Sequence, residues 1–324
     1  MADALVDALR AHVSGSVLAD ASLAGHTTLK VGGPAAALVR AETPDDLAAV
    51  ARVCGAHDRP WLVIGRGSNL LVADGGWPGV AVTLGRGFRG VAVDESAATA
   101  AEGEAVGVVA GAAEPMPVLA KTVARHHLGG LAFGVAIPGS LGGAVRMNAG
   151  AHGHELREVL EWAQVARLER HGALERLHAD DLAMSYRHTA LAADAVVVRA
   201  RLRLYRADAV TLDADMAEMR RWRRAHQPIN QPSCGSVFRN PPGDSAGRLI
   251  QAAGMKGHRV GGAQVSPVHA NFITVESSAR AGDVHAVIRN VQETVRAREG
   301  VALQTEVILA GFDEGPVTEG RSWA

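Results

Sequence analysis

The sequence predicts an α+β chain. Two observations carry this: several segments place apolar residues at helical spacing behind good capping residues, and between them run short apolar stretches bounded by glycine-rich turns. A third supports it, because 37 glycines beside only 4% aromatics imply many tight turns around a core of Ala, Val and Leu. With 324 residues and 48% apolar content, the chain can bury a sizeable core as one large domain or two to three smaller ones.

Taken in order, Leu5, Val6, Leu9 and Val13 predict a short amphipathic helix, and residues 1–22 are assigned to an N-terminal helical segment. Residues 25–34 read as a loop between units. Thr43-Pro44-Asp45-Asp46 starts a helix running to about Gly55, because it supplies a capping hydroxyl, a proline in the first turn and acids at the positive dipole end. Trp61–Ile64 reads as a buried strand, followed by the turn Gly65-Arg66-Gly67-Ser68-Asn69 and a second apolar run over 70–73. Further strands are expected at 80–84, 106–110 and 195–205, with a helix between 115 and 127. An Arg-rich helix over 213–226 precedes a connector with Pro228 and Pro232, and a second domain is placed from 208. The last third offers a helix from Ser245, a strand at 272–275, a long helix with Val284, Val287, Ile288, Val291 and Val295 on one face and Gly300 at its end, and a strand at 306–309. The tail after Phe312 is expected to be mobile.

Charge and composition exclude several function classes. Lys plus Arg (33) nearly balance Asp plus Glu (34), so no electrostatic footprint for nucleic acid or an anionic membrane is present. The N-terminus lacks a basic region followed by an apolar one, and no apolar run approaches the roughly 20 residues of a spanning helix; a cytoplasmic protein is expected. Cys54 and Cys234 suit neither a zinc site nor a disulfide framework, so both are expected as free thiols in a reducing compartment. The pair His126-His127 and the run His152-Gly153-His154-Glu155 lack metal-site spacing, and no metal is expected.

The chemistry-bearing stretches are few. Gly65-Arg66-Gly67-Ser68-Asn69 lets backbone N–H groups approach a phosphate, but by itself it is equally a plain hairpin turn. Residues 137–150, with Pro138, Gly139, Ser140, Gly142, Gly143, Ala144, Asn148, Ala149 and Gly150, could lay bare backbone against a large flat ligand; close helix–strand packing is the alternative. Both stretches together could clasp a ligand with a pyrophosphate and a ring system, as a flavin dinucleotide has. Tyr186-Arg187 offers a guanidinium suited to a carboxylate or phosphate, although for an isolated dipeptide a surface Arg is the plainer reading. Ser236, behind Gly235, could donate a proton, and no Gly-x-Ser-x-Gly elbow surrounds it. Glu306 opens an apolar stretch, where an edge charge is the plainer reading.

Taken in order, Thr28-Leu29-Lys30-Val31-Gly32-Gly33-Pro34, the Gly-x-Gly-Ser-Asn turn, Ile-Pro-Gly-Ser-x-Gly-Gly-Ala from Ile137, Ser185-Tyr186-Arg187, Pro-Ser-Cys-Gly-Ser-Val-Phe-Arg-Asn-Pro from Pro232, Ala246-Gly247-Arg248-Leu249-Ile250 and Asn271-Phe272-Ile273 resemble the UDP-N-acetylenolpyruvoylglucosamine reductases, flavoenzymes of early peptidoglycan synthesis. The resemblance covers nearly the whole chain from about residue 24 to 310. It implies a two-lobed FAD-binding domain of the vanillyl-alcohol-oxidase (PCMH) type over 23–207 and a smaller α+β substrate domain over 208–312. It further implies bound FAD, NADPH as hydride donor and a UDP-sugar substrate, with the chain acting as a monomer. Val31, Gly32, Ile64, the turn from Gly65 to Asn69 and the small residues of 138–150 are implied as cofactor contacts. Tyr186, Arg239, Asn240 and Asn271 are implied for substrate, Ser236 as proton donor, and Arg187 with Glu306 as stabilisers of an enol-like intermediate. The chain departs from many relatives at Thr189, Arg239 and His152. Its only tyrosines are Tyr186 and Tyr205, and Cys234-Gly235-Ser236-Val237-Phe238 resembles the shorter branch, without an inserted tyrosine loop. A related FAD oxidase and a binding protein without turnover are the competing readings.

Overall fold

The computed structural model describes residues 2–312; the tail expected to be mobile lies outside the described residues. Helix α1 (Ala2–His12) is followed by strand β1 (Ser16–Ser22), β2 (Pro34–Ala41), α2 (Pro44–Ala56), β3 (Trp61–Ile64), β4 (Leu70–Val72) and β5 (Trp77–Leu84). These form the first lobe, a four-stranded sheet in the order β1-β2-β5-β3. The β1/β2 pair is antiparallel and the other two pairs are parallel. Residues 16–22, assigned from sequence to a helical segment, are therefore a strand: only Val17 of the seven is buried, so no apolar alternation announced it.

Helix α2 starts where the sequence places it. The Thr43 hydroxyl accepts from Asp46 N, and the Asp46 carboxylate accepts from Thr43 N. Asp46 also accepts from Ser14 N, Ser14 Oγ and Glu42 N. Burial pushes its carboxyl up, but these donors outweigh that and hold it below the usual 3.8.

The second lobe contains β6 (Val91–Val93), β7 (Ala105–Gly111), α3 (Met116–Arg125), β8 (Leu128–Gly129), α4 (Leu141–Met147), β9 (Gly150–Ala151), β10 (His154–Glu155), β11 (Leu160–Arg167), β12 (Ala173–His178) and β13 (Ala195–Arg206). Its sheet runs β12-β11-β13-β7-β6, with β8 also on β13, all antiparallel. The core of this lobe packs α3, α4 and the segment around Phe133 against the sheet.

Helix α5 (Ala209–His226) begins four residues earlier than its apolar pattern indicates, because Asp208 caps it by accepting from Thr211 N. The C-terminal unit follows with α6 (Ala246–Ala252), the antiparallel sheet β14 (Arg259–Val260), β15 (Ala263–Val265) and β16 (Ile273–Val275), α7 (Ala281–Glu299) and β17 (Ile308–Ala310). Gly300 ends α7 in the left-handed conformation.

Three contacts tie this unit to the first lobe. Strand β17 pairs in parallel with β4, Leu70 opposite Ile308. The first N–H groups of α7, at Ala281 and Gly282, donate to the Asp74 carboxylate at 2.9 Å each. Leu29, Val31 and Leu71 of the first lobe lie in the core cluster built by α6, α7 and β15–β16.

Candidate active site

The turn 65–69 is not a hairpin. Strand β3, before it, pairs with β5, while β4, after it, pairs with β17. The turn therefore crosses from the first lobe's sheet to the C-terminal unit. Gly67 must be glycine: its φ is +60°, and a Cβ there would lie 2.0 Å from the His26 carbonyl oxygen. On its other side the turn meets residues 138–143. Arg66 Nε donates to Pro138 O at 3.1 Å, a Cβ on Gly65 would lie 2.8 Å from Ser140 Oγ, and a Cβ on Gly139 would lie 3.4 Å from Ser68 Oγ. The two glycine-rich segments singled out in the sequence thus meet in space.

Between them opens a cavity of about 340 Å³. Its walls come from residues 25–28, from Val63 to Arg66, from Ala112 and Ala113, from Ser140, Gly142 and Gly143, and from the start of β13. Arg89, Arg146, Lys30 and Arg66 also line it, and no carboxylate does. Bare backbone and uncompensated cations suit an anionic, extended ligand such as a dinucleotide. Gly143 supports that fit, since a Cβ there would meet only Ser140 Oγ, at 3.7 Å, and the protein itself does not require the space. His26, Thr27, Thr28, Arg89 and Arg146 were missed from the sequence. The spacing of Arg146 from Gly142 and Gly143 on one helix was the available signal.

Several residues expected at the cofactor have scaffold contacts of their own. Val31 and Ala144 are core residues, Ala149 packs against the second-lobe core, and Gly32 lies against Val72. Asn148, fully buried, ends α4 with φ +41°. Its amide donates to Glu155 Oε2 (3.0 Å) and Ser185 O (2.9 Å), and its oxygen accepts from Arg157 N. Asn69 donates from Nδ2 to Glu306 O at 3.0 Å, and its own carbonyl accepts from Ile308 N.

Arg187 sits at a tight corner closed by reciprocal backbone hydrogen bonds between Ser185 and His188. Its φ is +54°, a conformation that favours glycine, so the corner retains a guanidinium at a conformational cost of roughly 1 kcal/mol. Arg187 Nη2 donates to Gly150 O at 3.2 Å, and Nε lies 2.9 Å from Glu306 Oε1. Glu306 is therefore not an edge charge, nor is it in a strand, since β17 starts at Ile308. Its side chain is 13% exposed. Burial pushes its carboxyl above 4.5, against the opposing pull of Arg187 and Arg239.

Ser236 is brought to this pair by the backbone. Glu306 N donates to Val237 O at 2.7 Å, and Asn271 clamps the same segment, accepting from Phe238 N and donating to Phe238 O. Asn271, expected to touch substrate, is buried and spends its amide on that clamp. Arg239 keeps a buried Nε without a hydrogen-bond partner. Tyr186 Oη accepts from Asn240 N at 3.5 Å, so these two substrate candidates do meet across the lobe boundary. Asn240 also caps residue 246 through its side-chain oxygen.

Residues 35–170 match the family model described as an FAD binding domain, so the cavity lies in a flavoprotein fold. Residues 227–310 match the model of the UDP-N-acetylenolpyruvoylglucosamine reductase C-terminal domain. The chain is 42% identical over 308 residues to the UDP-N-acetylenolpyruvoylglucosamine reductase of Halalkalibacterium halodurans, covering 95% of this chain and 98% of that protein. It is 43% identical over 300 residues to that of Acidiphilium cryptum, covering 93% of each. Among solved structures, the reductase of Thermus caldophilus superposes with a TM-score of 0.74 at 36% identity, covering 91% of this chain and 98% of that one. The chain belongs to the UDP-N-acetylenolpyruvoylglucosamine reductase family.

Proposed function

We propose that the chain uses NADPH and FAD to reduce UDP-N-acetylglucosamine-enolpyruvate to UDP-N-acetylmuramate. The observation that carries this reading is the meeting of Arg187, Glu306 and the Ser236 segment where the C-terminal unit joins the cofactor lobes. Bound FAD supplies hydride transfer from NADPH to the methylene carbon of the enolpyruvyl double bond.

The chain's own groups manage charge and proton. Hydride addition leaves negative charge delocalised from the adjacent carbon into the carboxylate, and Arg187 and Arg239 are the cations placed to meet it. Ser236 Oγ gives its proton to that carbon and is reprotonated from solvent, completing addition of two hydrogens across the bond. Glu306, held by Arg187 and lifted by burial, is poised to carry a proton and to polarise the developing enol. Residues 23–207 hold the cofactor in this reading and residues 208–312 bring the substrate, with Tyr186 and Asn240 on its flank.

In this reading the chain acts as a monomer. Two buried free thiols, Cys54 and Cys234, suit the reducing cytoplasm. No helix among the described residues is long and apolar enough to cross a membrane.

The test is an anaerobic visible spectrum. The flavin band should bleach with NADPH and return on adding the enolpyruvyl UDP-sugar. A flavin that bleaches but ignores the sugar points to an oxidase with another substrate, and protein that takes up no flavin refutes the assignment.

A further inference from the structure

Helix α4 presents Gly142, Gly143 and Arg146 to the cofactor cavity from one face, since positions three and four apart share a side. Two of these positions are bare backbone; the third is a guanidinium. Arg146 Nη2 donates to Ala192 O at 3.1 Å and also to Ala195 O, so its head is fixed rather than free to sweep. It has no carboxylate within ion-pair distance among the described residues. The nearest candidate, Asp194, is committed to Arg167, whose Nε and Nη2 approach it at 2.8–3.0 Å, and to Glu169 N. Burial lowers Arg146 to about 10, partly offset by Asp194, so it remains a cation at neutral pH.

A buried cation held only by carbonyls is costly unless an anion joins it. Lys30, Arg66 and Arg89 face the same space, again with no carboxylate in the wall. The cavity therefore carries an excess of positive charge that the protein leaves unbalanced.

We propose that Arg146 is a cofactor-binding residue whose fixed guanidinium meets the diphosphate of FAD. This rests on the FAD reading above and adds a residue to it. The apo protein then carries an unfavourable charge that cofactor binding relieves.

The experiment compares wild type with Arg146→Met by FAD titration, followed by flavin fluorescence, and by thermal unfolding of both apoproteins. Arg146→Met should weaken FAD by on the order of tenfold to a hundredfold, the range for losing a hydrogen bond to a charged group. Its apoprotein should unfold no lower than wild type, since an unpaired buried charge has gone, while the rise in Tm on adding FAD should shrink. An unchanged Kd overturns the proposal. If affinity and apo stability both fall, Arg146→Lys decides. Recovery of FAD affinity by the lysine upholds the charge role, and no recovery assigns Arg146 to bracing the turn at 192–195 and overturns it. Failure of wild type itself to bind FAD would instead count against the proposed function.

Discussion

The two halves of the site are built on opposite principles. The cofactor cavity is made by leaving side chains out: a glycine of each segment lies against a serine of the other, at Gly65 so closely that a methyl group would crowd Ser140 Oγ, and cations face the space that remains. The junction is made by side chains that the fold must carry together, with Arg187 from the second lobe, Ser236 from the start of the C-terminal unit and Glu306 from its end. A cavity of the first kind should be sensitive to added bulk and to the loss of a cation, while its neutral polar groups matter less. A junction of the second kind should tolerate little chemical change at all.

The largest expected effect tests the junction. Ser236→Ala should leave flavin bleaching by NADPH near wild type and slow reoxidation by substrate by on the order of 1,000-fold, the range for losing a general acid. Stopped-flow traces of the two half-reactions measure this directly, and equal slowing of both would remove Ser236 from the proton-donor role.

The cavity meets the converse test at Gly143. Because a Cβ there finds only Ser140 Oγ at 3.7 Å, Gly143→Val should fold with little change in apo Tm. The valine branches enter the space meant for ligand, so FAD affinity should fall by about a hundredfold or more, read by fluorescence titration. A large drop in apo Tm with intact affinity would show that the helix, not the ligand, needs the glycine.

How legible these halves were from sequence follows from their construction. The cavity glycines stood out because omission leaves a local mark: four glycines in residues 139–150 are visible without any fold. So were α2, announced by Thr43 and Asp46 three residues apart, and the end of α7 at Gly300, since capping is a short-range affair. The junction was not legible from spacing. Nothing near Glu306 indicates that Arg187 will neutralise it, and an edge charge was the plainer reading until β17 was seen to pair with β4. Resemblance to a family, not geometry, brought those residues forward. It also drew Asn148 and Asn271 into ligand contact, and what spacing could not indicate is that both buried amides brace neighbouring backbone segments. Arg146 had no place in that resemblance and was overlooked.

Asn69 joins the two halves and gives a prediction of intermediate size. It lies in the cavity's turn, yet its amide holds the carbonyl of Glu306 at 3.0 Å. Asn69→Ala should therefore keep FAD affinity within about twofold and lower the rate of the substrate half-reaction by roughly tenfold, as small misplacements of a catalytic group do. Lost flavin with an unaltered half-reaction would return Asn69 to the cofactor's contacts and separate the halves again.

The smallest effect concerns the charge state of the junction in the absence of ligands. Burial raises Glu306 above 4.5 despite Arg187 and Arg239, so in the window above that value the folded chain binds more protons than the unfolded one. Stability from this group is then present at low pH and declines as pH rises through the folded value. Glu306→Gln keeps the shape and does not titrate. The difference in apo Tm, variant minus wild type, should therefore move in the variant's favour between about pH 4 and about pH 7, by no more than a few degrees. Movement in the opposite direction would mean that the two arginines outweigh burial. Glu306 would then be a plain counter-ion, and the protonated carboxyl that lets it polarise an enol would have to come from the substrate's arrival instead.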